Sequence, residues 1–330
     1  MTTYYVGSGG DDGNSGETWA LRWEHLSVAG ATATAGDVVE VGTGTYEAED
    51  SDGAILVVDN AGTSTAPIVF RNGDDDPGTI TLDAGTNSLD HCIIPNTFCR
   101  FEDFALTGAA SHAVDGGSYD SCIFMNCSVY SNAGYGISGD DCWALVGCNV
   151  YSNVDYNVTL NEGAQVYWCK IHDVSVVDYN LDIEYGIILG CVFYGSNIGT
   201  RHIYLAQPPY GLCAVISCTI DGENIFGTIG IYIASITSEH NVVIVNNIIY
   251  DLYYGIYNQY GNYDGWRNTW NNLFNSNTTD VSNFTRGYQY VTGAPVFTDE
   301  AGHDYNIEQC DAIDHGGDLQ RAIYYEYLIF

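Results

Sequence analysis

Basic side chains are nearly absent from this chain: one Lys and seven Arg stand against 42 acidic residues, a net charge of −34 over 330 residues. Such a surface repels nucleic acid and anionic membranes, and a polyuronate would approach it only with cations between the two. Nucleic-acid binding is excluded on that ground. Long apolar runs are missing as well. No stretch reaches the ~20 residues of a membrane-spanning helix, and the opening Met1-Thr2-Thr3-Tyr4-Tyr5 has neither a basic start nor an apolar core, so neither membrane insertion nor a signal peptide is read. No linker interrupts the chain, which favours one elongated domain over two. The acid itself reads as a solvated exterior that keeps a long sheet soluble and discourages edge pairing.

What is present is a repeat. Cys127, Cys148, Cys169, Cys191, Cys218, Asn247 and Asn272 each sit inside a short strand-like run, and the series has the period of a solenoid built from single turns of backbone. A second series, Val114, Ile137, Val158, Leu181, Ile203, Ile231 and Ile256, advances with nearly the same step. Two series that stay in step, both in Val/Ile/Tyr-rich runs, predict a parallel β-helix whose turns stack at about 4.8 Å. The segment from Gly36 to Cys310 leaves room for roughly eleven rungs, a coil on the order of 50 Å long. Right-handed winding is the default for parallel crossovers.

Eleven cysteines raise the question of disulfides, and their placement answers it. Five occupy equivalent positions in successive turns, where a free thiol behaves as a small buried hydrophobe. The ladder and the odd total predict reduced thiols and synthesis in a reducing compartment. The closest pairs, Cys122 with Cys127 and Cys213 with Cys218, lack metal-ligand spacing, so no metal centre is assigned.

The ends of the chain predict closure of the coil. Residues 1–35 read as a cap, with a short strand, a Gly/Asp/Asn/Ser loop and an amphipathic helix carrying Trp19, Trp23, Leu26 and Ala29 on one face. From Tyr4 to Tyr46, through the first strand Gly36-Asp37-Val38-Val39 and the turn Gly44-Thr45-Tyr46, this segment resembles the start of the pectate-lyase-like right-handed β-helix superfamily. Ala294-Pro295-Val296-Phe297, His303-Asp304-Tyr305-Asn306-Ile307 and Asp311-Ala312-Ile313-Asp314 resemble that superfamily's last rung, with Cys310-Asp311 where Ser-Pro is usual. The resemblance covers residues 4–318. It implies an all-β solenoid over 36–318 followed by an apolar tail, 319–330, and it leaves activity open among lyases, hydrolases, epimerases, phage tailspikes and non-catalytic surface proteins.

Alternation along the second series sends two stripes outward. One holds Asp115, Ser138, Thr159, Asp182, Tyr204, Tyr232 and Tyr257; its neighbour holds Gly117, Asp140, Asn161, Glu184, Ala206, Ala234 and Gln259. Tyr204, Tyr232 and Tyr257 are the candidate glycan contacts, as a platform for apolar sugar faces. Asp182 and Glu184, two apart on one face, with Arg201 beginning the next strand, are the candidate catalytic group. Paired carboxylates suit acid and base roles in glycoside cleavage, and a Ca2+ held by them is the one cofactor admitted.

Three functional classes follow. The first expectation is a virion surface protein such as a tail fibre, tailspike or head-decoration protein, homotrimeric as the resemblance implies, with host glycans as partners and a virion or extracellular location. The alternatives are a polysaccharide lyase, glycoside hydrolase or epimerase, and a cell-surface adhesin.

Overall fold

The computed structural model describes residues 1–47, 53–73, 78–85, 88–175, 179–195, 197–206, 211–234, 242–259, 269–283, 291–292, 296–299 and 304–309. The closing residues Asp311 to Asp318 and the tail from Leu319 to Phe330 lie outside them. Each turn lays down short strands that pair in parallel with those one turn before and after, giving a 19-stranded sheet that holds two files and an 11-stranded sheet that holds the third. The first file carries the register Val114, Ile137, Val158, Leu181, Ile203, Ile231, Ile256, as the sequence predicts. All seven side chains are at most 1 % exposed. The second file points Phe70, Phe101, Phe124 and Trp143 inward, with ring centroids 5.4, 4.8 and 5.6 Å apart.

Between the second and third files the chain turns sharply. Asn126, Gly147, Trp168, Gly190, Ser217, Asn246 and Asn271 all adopt left-handed backbone there, with φ from 53° to 66°. Each is followed by a member of the Cys/Asn ladder, whose seven side chains are at most 3 % exposed. The ten described cysteines are free thiols. Asn247 and Asn272 continue the stack as amides: Asn247 Oδ1 accepts from the Cys218 N–H at 2.8 Å, and Asn247 Nδ2 donates to Asn272 Oδ1 at 2.9 Å.

Two expectations need correction. About seven turns make up the regular solenoid, where roughly eleven were expected. Ladder positions draw further apart toward the C-terminus, the step from Cys218 to Asn247 being longer than that from Cys127 to Cys148, so the chain yields fewer regular turns than an even division of its length suggests. The 11-stranded sheet runs past those turns because end strands such as Gly44–Tyr46 and Val291–Thr292 also join it. The cap also holds less helix than predicted. Only Leu26–Thr32 is α-helical; Trp19 lies in a 3-10 turn, Trp19–Leu21, and Trp23 is extended, bridging Val6. Arg22 holds this arrangement by donating to the carbonyls of Trp19 at 2.9 Å and Gly7 at 3.3 Å. The strand Thr3–Val6 pairs with Val38–Val41, which satisfies the backbone edge that an open end would expose.

A buried polar file lines the corner ahead of the first file. Asn132 Nδ2 donates to Asn153 Oδ1, Asn153 Nδ2 to Asn157 Oδ1 and Asn157 Nδ2 to Asn180 Oδ1, each at 2.8 Å. Asn180 Nδ2 then meets His202 Nδ1 at 3.0 Å. Since an amide nitrogen only donates, His202 Nδ1 accepts and the proton sits on Nε2, which has no partner among the described residues. Burial pushes the His202 pKa down to about 3, against about 6.5 in an unfolded chain. Between those values the unfolded state binds the extra proton. Stability from neutral His202 is therefore complete above about pH 6.5 and falls by up to ~1.4 kcal/mol per pH unit below it. Urea midpoints taken from pH 7.5 down to 4 should drop more steeply for the wild type than for His202→Gln, and parallel slopes would refute the assignment.

Candidate active site

Two strands differ from the rest. Val158–Tyr167 has 10 residues and Tyr179–Leu189 has 11, and both run unbroken through the corner that divides the first file from the second. Their pairing slips between Glu162 and Ala164, where Gly163 takes φ 71° against the Cys142 thiol of the preceding turn. Such a bulge re-aims side chains. Consecutive residues Glu184 and Tyr185 are both partly exposed as a result, beside Glu162 and the Asp140–Asp141 pair.

The bulge gathers negative charge. Tyr185 donates its hydroxyl to Glu162 Oε2 at 2.7 Å, and this bond, with burial and neighbouring carboxylates, pushes its pKa up to about 12. Burial raises the pKa of Glu184, and the charges of Glu162, Asp141 and Asp140 raise it further. Asp141 is raised in the same way, by burial first and then by Asp140, Glu162 and Asp120, against a hydrogen bond from the Glu162 N–H. Carboxylates that share a field hold a proton at a pH where an isolated one is ionised. Among the described residues no three His, Cys, Asp or Glu side chains group as metal ligands do.

Asp115, Ser138, Thr159, Asp182, Tyr204, Tyr232 and Tyr257 stand in one register, and six of them keep partial exposure as expected, but Tyr232 is buried, which corrects its expected outward place. Asp182 and Glu184 share one outward face of their strand. Arg201 pairs in register with Tyr179, three residues before Asp182, and is engaged with tyrosines. Its Nη1 donates to the Tyr179 hydroxyl at 2.7 Å, and its guanidinium lies 5.1 Å from the Tyr179 ring centre and 4.5 Å from that of Tyr232. Arg201 thus acts as a cationic wedge between aromatic side chains.

The tyrosine stripe is longer than the three candidates. Ring centroids follow from His112 to Tyr135 at 4.4 Å, Tyr156 at 4.9 Å, Tyr179 at 4.9 Å and Tyr204 at 4.4 Å, then Tyr232 at 5.2 Å and Tyr257 at 5.3 Å. Tyr204, Tyr232 and Tyr257 have interplanar angles of 14° and 22°. Nearly parallel rings at that spacing lie face to face, so they cover each other's faces; Tyr232 is buried between its neighbours, and Tyr204 and Tyr257 are partly exposed.

The fold has known relatives in shape. The chain superposes on pectate lyase Pel9A with a TM-score of 0.61 at 16% identity, covering 91% of this chain and 83% of that one. A rhamnogalacturonan lyase gives 0.55 at 13%, covering 98% and 99%, and an alginate lyase from Paenibacillus sp. str. FPU-7 gives 0.52 at 14%, covering 81% and 96%. The fold is the pectate-lyase-like β-helix. No family model matches the chain, and no curated protein matches it.

Several residues of the site escape a reading of sequence alone. Glu162 and Tyr185 are re-aimed by the bulge, which alternation does not register. Tyr135, Tyr156 and Tyr179 carry a legible signal, since they recur once per turn in phase with the ladders. Trp168 carries one too, as the one bulky residue, among the described residues, in a left-handed slot otherwise filled by Asp, Asn, Gly and Ser.

Proposed function

We propose that this β-helix is an enzyme acting on a polysaccharide, with Glu184 as general acid and Asp182 as the partner carboxylate. The observation that carries the reading is Glu184 itself, beside Tyr185 where the strand faces the bulge at Glu162–Ala164, with its pKa raised by burial and by the charges of Glu162, Asp141 and Asp140. A general acid needs that raised affinity to be protonated near neutral pH. Asp182 and Glu184 lie two residues apart on one face of their strand, with Cα atoms about 6.7 Å apart, and inverting glycoside cleavage uses two carboxyl groups set far enough apart to admit a water. In that scheme Glu184 protonates the leaving oxygen and Asp182 takes a proton from the attacking water.

The named activities of the similar structures, pectate, rhamnogalacturonan and alginate lyases, are all on polysaccharides, which supports the substrate class. The expectations of a virion shaft and of an adhesin draw no support from them. A net charge of −34 with no grouping of calcium ligands among the described residues favours a neutral glycan over a polyuronate. The test is incubation with neutral and acidic polysaccharides, with and without calcium. New reducing ends without unsaturated ones are expected from a neutral polymer. Unsaturated ends would move the reaction to elimination, and no product from any polymer would defeat the proposal.

A further inference from the structure

The stacked tyrosines have little ring face to offer a sugar, whereas Trp168 offers one. It is 63 % exposed, while Trp23 and Trp143 are at most 4 % exposed. Phe226 is open to solvent as well, but it leans on Tyr253 at 5.1 Å and lies away from the long strands. Trp168 occupies the left-handed turn before Cys169 with φ 55°, in a slot that the neighbouring turns fill with Asn126, Gly147, Gly190 and Ser217. A bulky side chain in that region is strained, and strain retained at an exposed position points to use. The turns on either side are shaped to receive it. A Cβ on Gly190 would come 2.7 Å from the indole Cδ1, so the ring leans directly on bare backbone. The turn on the other side carries Gly147, which has no side chain to cover the ring. Tyr167 stands beside it, with centroids 5.9 Å apart and planes tilted by 52°.

We propose that Trp168 is a sugar-stacking subsite that takes the apolar face of a neutral pyranose ring, at the far end of the long strands from Glu184. This rests on the polysaccharide reading above. Past the bulge at Gly163, the chain from Ala164 to Trp168 is about 13 Å of extended backbone, the length of a short oligosaccharide. The outward side chains between them on the two long strands, Gln165, Tyr167, Ile187 and Leu189, carry no charge. A glycan lying across the coil along these strands meets carboxylates at one end, an uncharged floor, and the indole at the other. A chain of net charge −34 with an uncharged floor suits a neutral polymer. An indole face against the C–H face of a pyranose is the matching contact.

The experiment compares wild type, Trp168→Gly and Glu184→Gln for retention in native gels containing xylan, glucomannan or mixed-linkage β-glucan, with melting temperature and released reducing ends read on the same preparations. Trp168→Gly should weaken retention by about tenfold in apparent Kd, while its melting temperature holds or rises, because glycine suits the left-handed turn. Glu184→Gln should be retained like the wild type and release ends at least about a hundredfold more slowly. Equal retention of Trp168→Gly and wild type overturns the subsite, as does a melting temperature that falls with binding intact, or a wild type that no polymer retains. If the wild type binds through Trp168 but releases nothing, the subsite stands and the proposed reaction falls; if it cleaves with Trp168-independent retention, only the subsite falls.

Discussion

Replacing Asn157 by Ala is expected to lower the unfolding free energy by about 3–5 kcal/mol. The side chain is fully buried and in the middle of the amide file. Its Nδ2 donates to the His172 carbonyl at 2.7 Å and to Asn180 Oδ1 at 2.8 Å, and its Oδ1 accepts from Asn153 Nδ2 at 2.8 Å. Truncation orphans groups on both sides at once, and each buried polar group left unpaired costs about 1–3 kcal/mol. The loss exceeds what a cavity of that size would produce, because the neighbours have no water to turn to. Asn161→Ala, at an exposed position on the next strand face, should stay within about 0.5 kcal/mol of wild type. Urea denaturation followed by circular dichroism measures both. A cost below about 1 kcal/mol for Asn157→Ala would mean that the file is ornament rather than a register device.

On the polymer that the wild type cleaves, Glu184→Gln is expected to reduce the rate of bond cleavage by about 10²–10⁴. Folding should not suffer. A carboxyl whose pKa is raised in the folded state contributes stability below its unfolded pKa and loses it as pH rises, so at neutral pH the amide relieves repulsion from Glu162, Asp141 and Asp140. The same sign governs activity. A general acid works while protonated, so the rate should fall on the alkaline side as pH rises through the raised Glu184 pKa. Glu162→Gln removes the largest charge acting on Glu184 and should move that alkaline limb to lower pH. Initial rates across pH 4 to 9 for the three proteins decide the matter. An alkaline limb indifferent to Glu162 would remove Glu184 from the acid role.

Much of the fold is legible in the chain because a β-solenoid repeats one local rule. Residues about one turn apart become neighbours, and alternation along each strand decides which of them face in. Val114 through Ile256 fall into one buried file for that reason, and Asp115 through Tyr257 into one file that faces out except at Tyr232. The cap is less legible. Trp19 and Trp23 have helical spacing, but contacts from Arg22 to the Gly7 and Trp19 carbonyls hold Trp19 in a 3-10 turn with Trp23 extended beyond it, and the contact to Gly7 joins parts of the loop that no periodicity links.

The candidate site divides along the same line. Outward placement of Asp182, Glu184, Tyr204 and Tyr257 follows from parity, whereas the burial of Tyr232 under its neighbours does not. The direction of Arg201 does not, since a long flexible side chain chooses among partners in three successive turns and here lies against Tyr179 and Tyr232. The ring orientation of Tyr204, Tyr232 and Tyr257 is likewise a product of stacking between turns.

By itself, the sequence determined the coil, its register, its buried thiols and the faces turned to solvent, because each follows from a period of 2 along strands and a nearly constant step between turns. Only the tertiary structure decided where that regularity breaks. The slip between Glu162 and Ala164 depends on Gly163 meeting Cys142 of the turn before, and the exposure of Trp168 depends on the bare backbone of Gly190 in the turn after. Both are contacts between turns at single positions, and a contact that occurs once leaves no period to read.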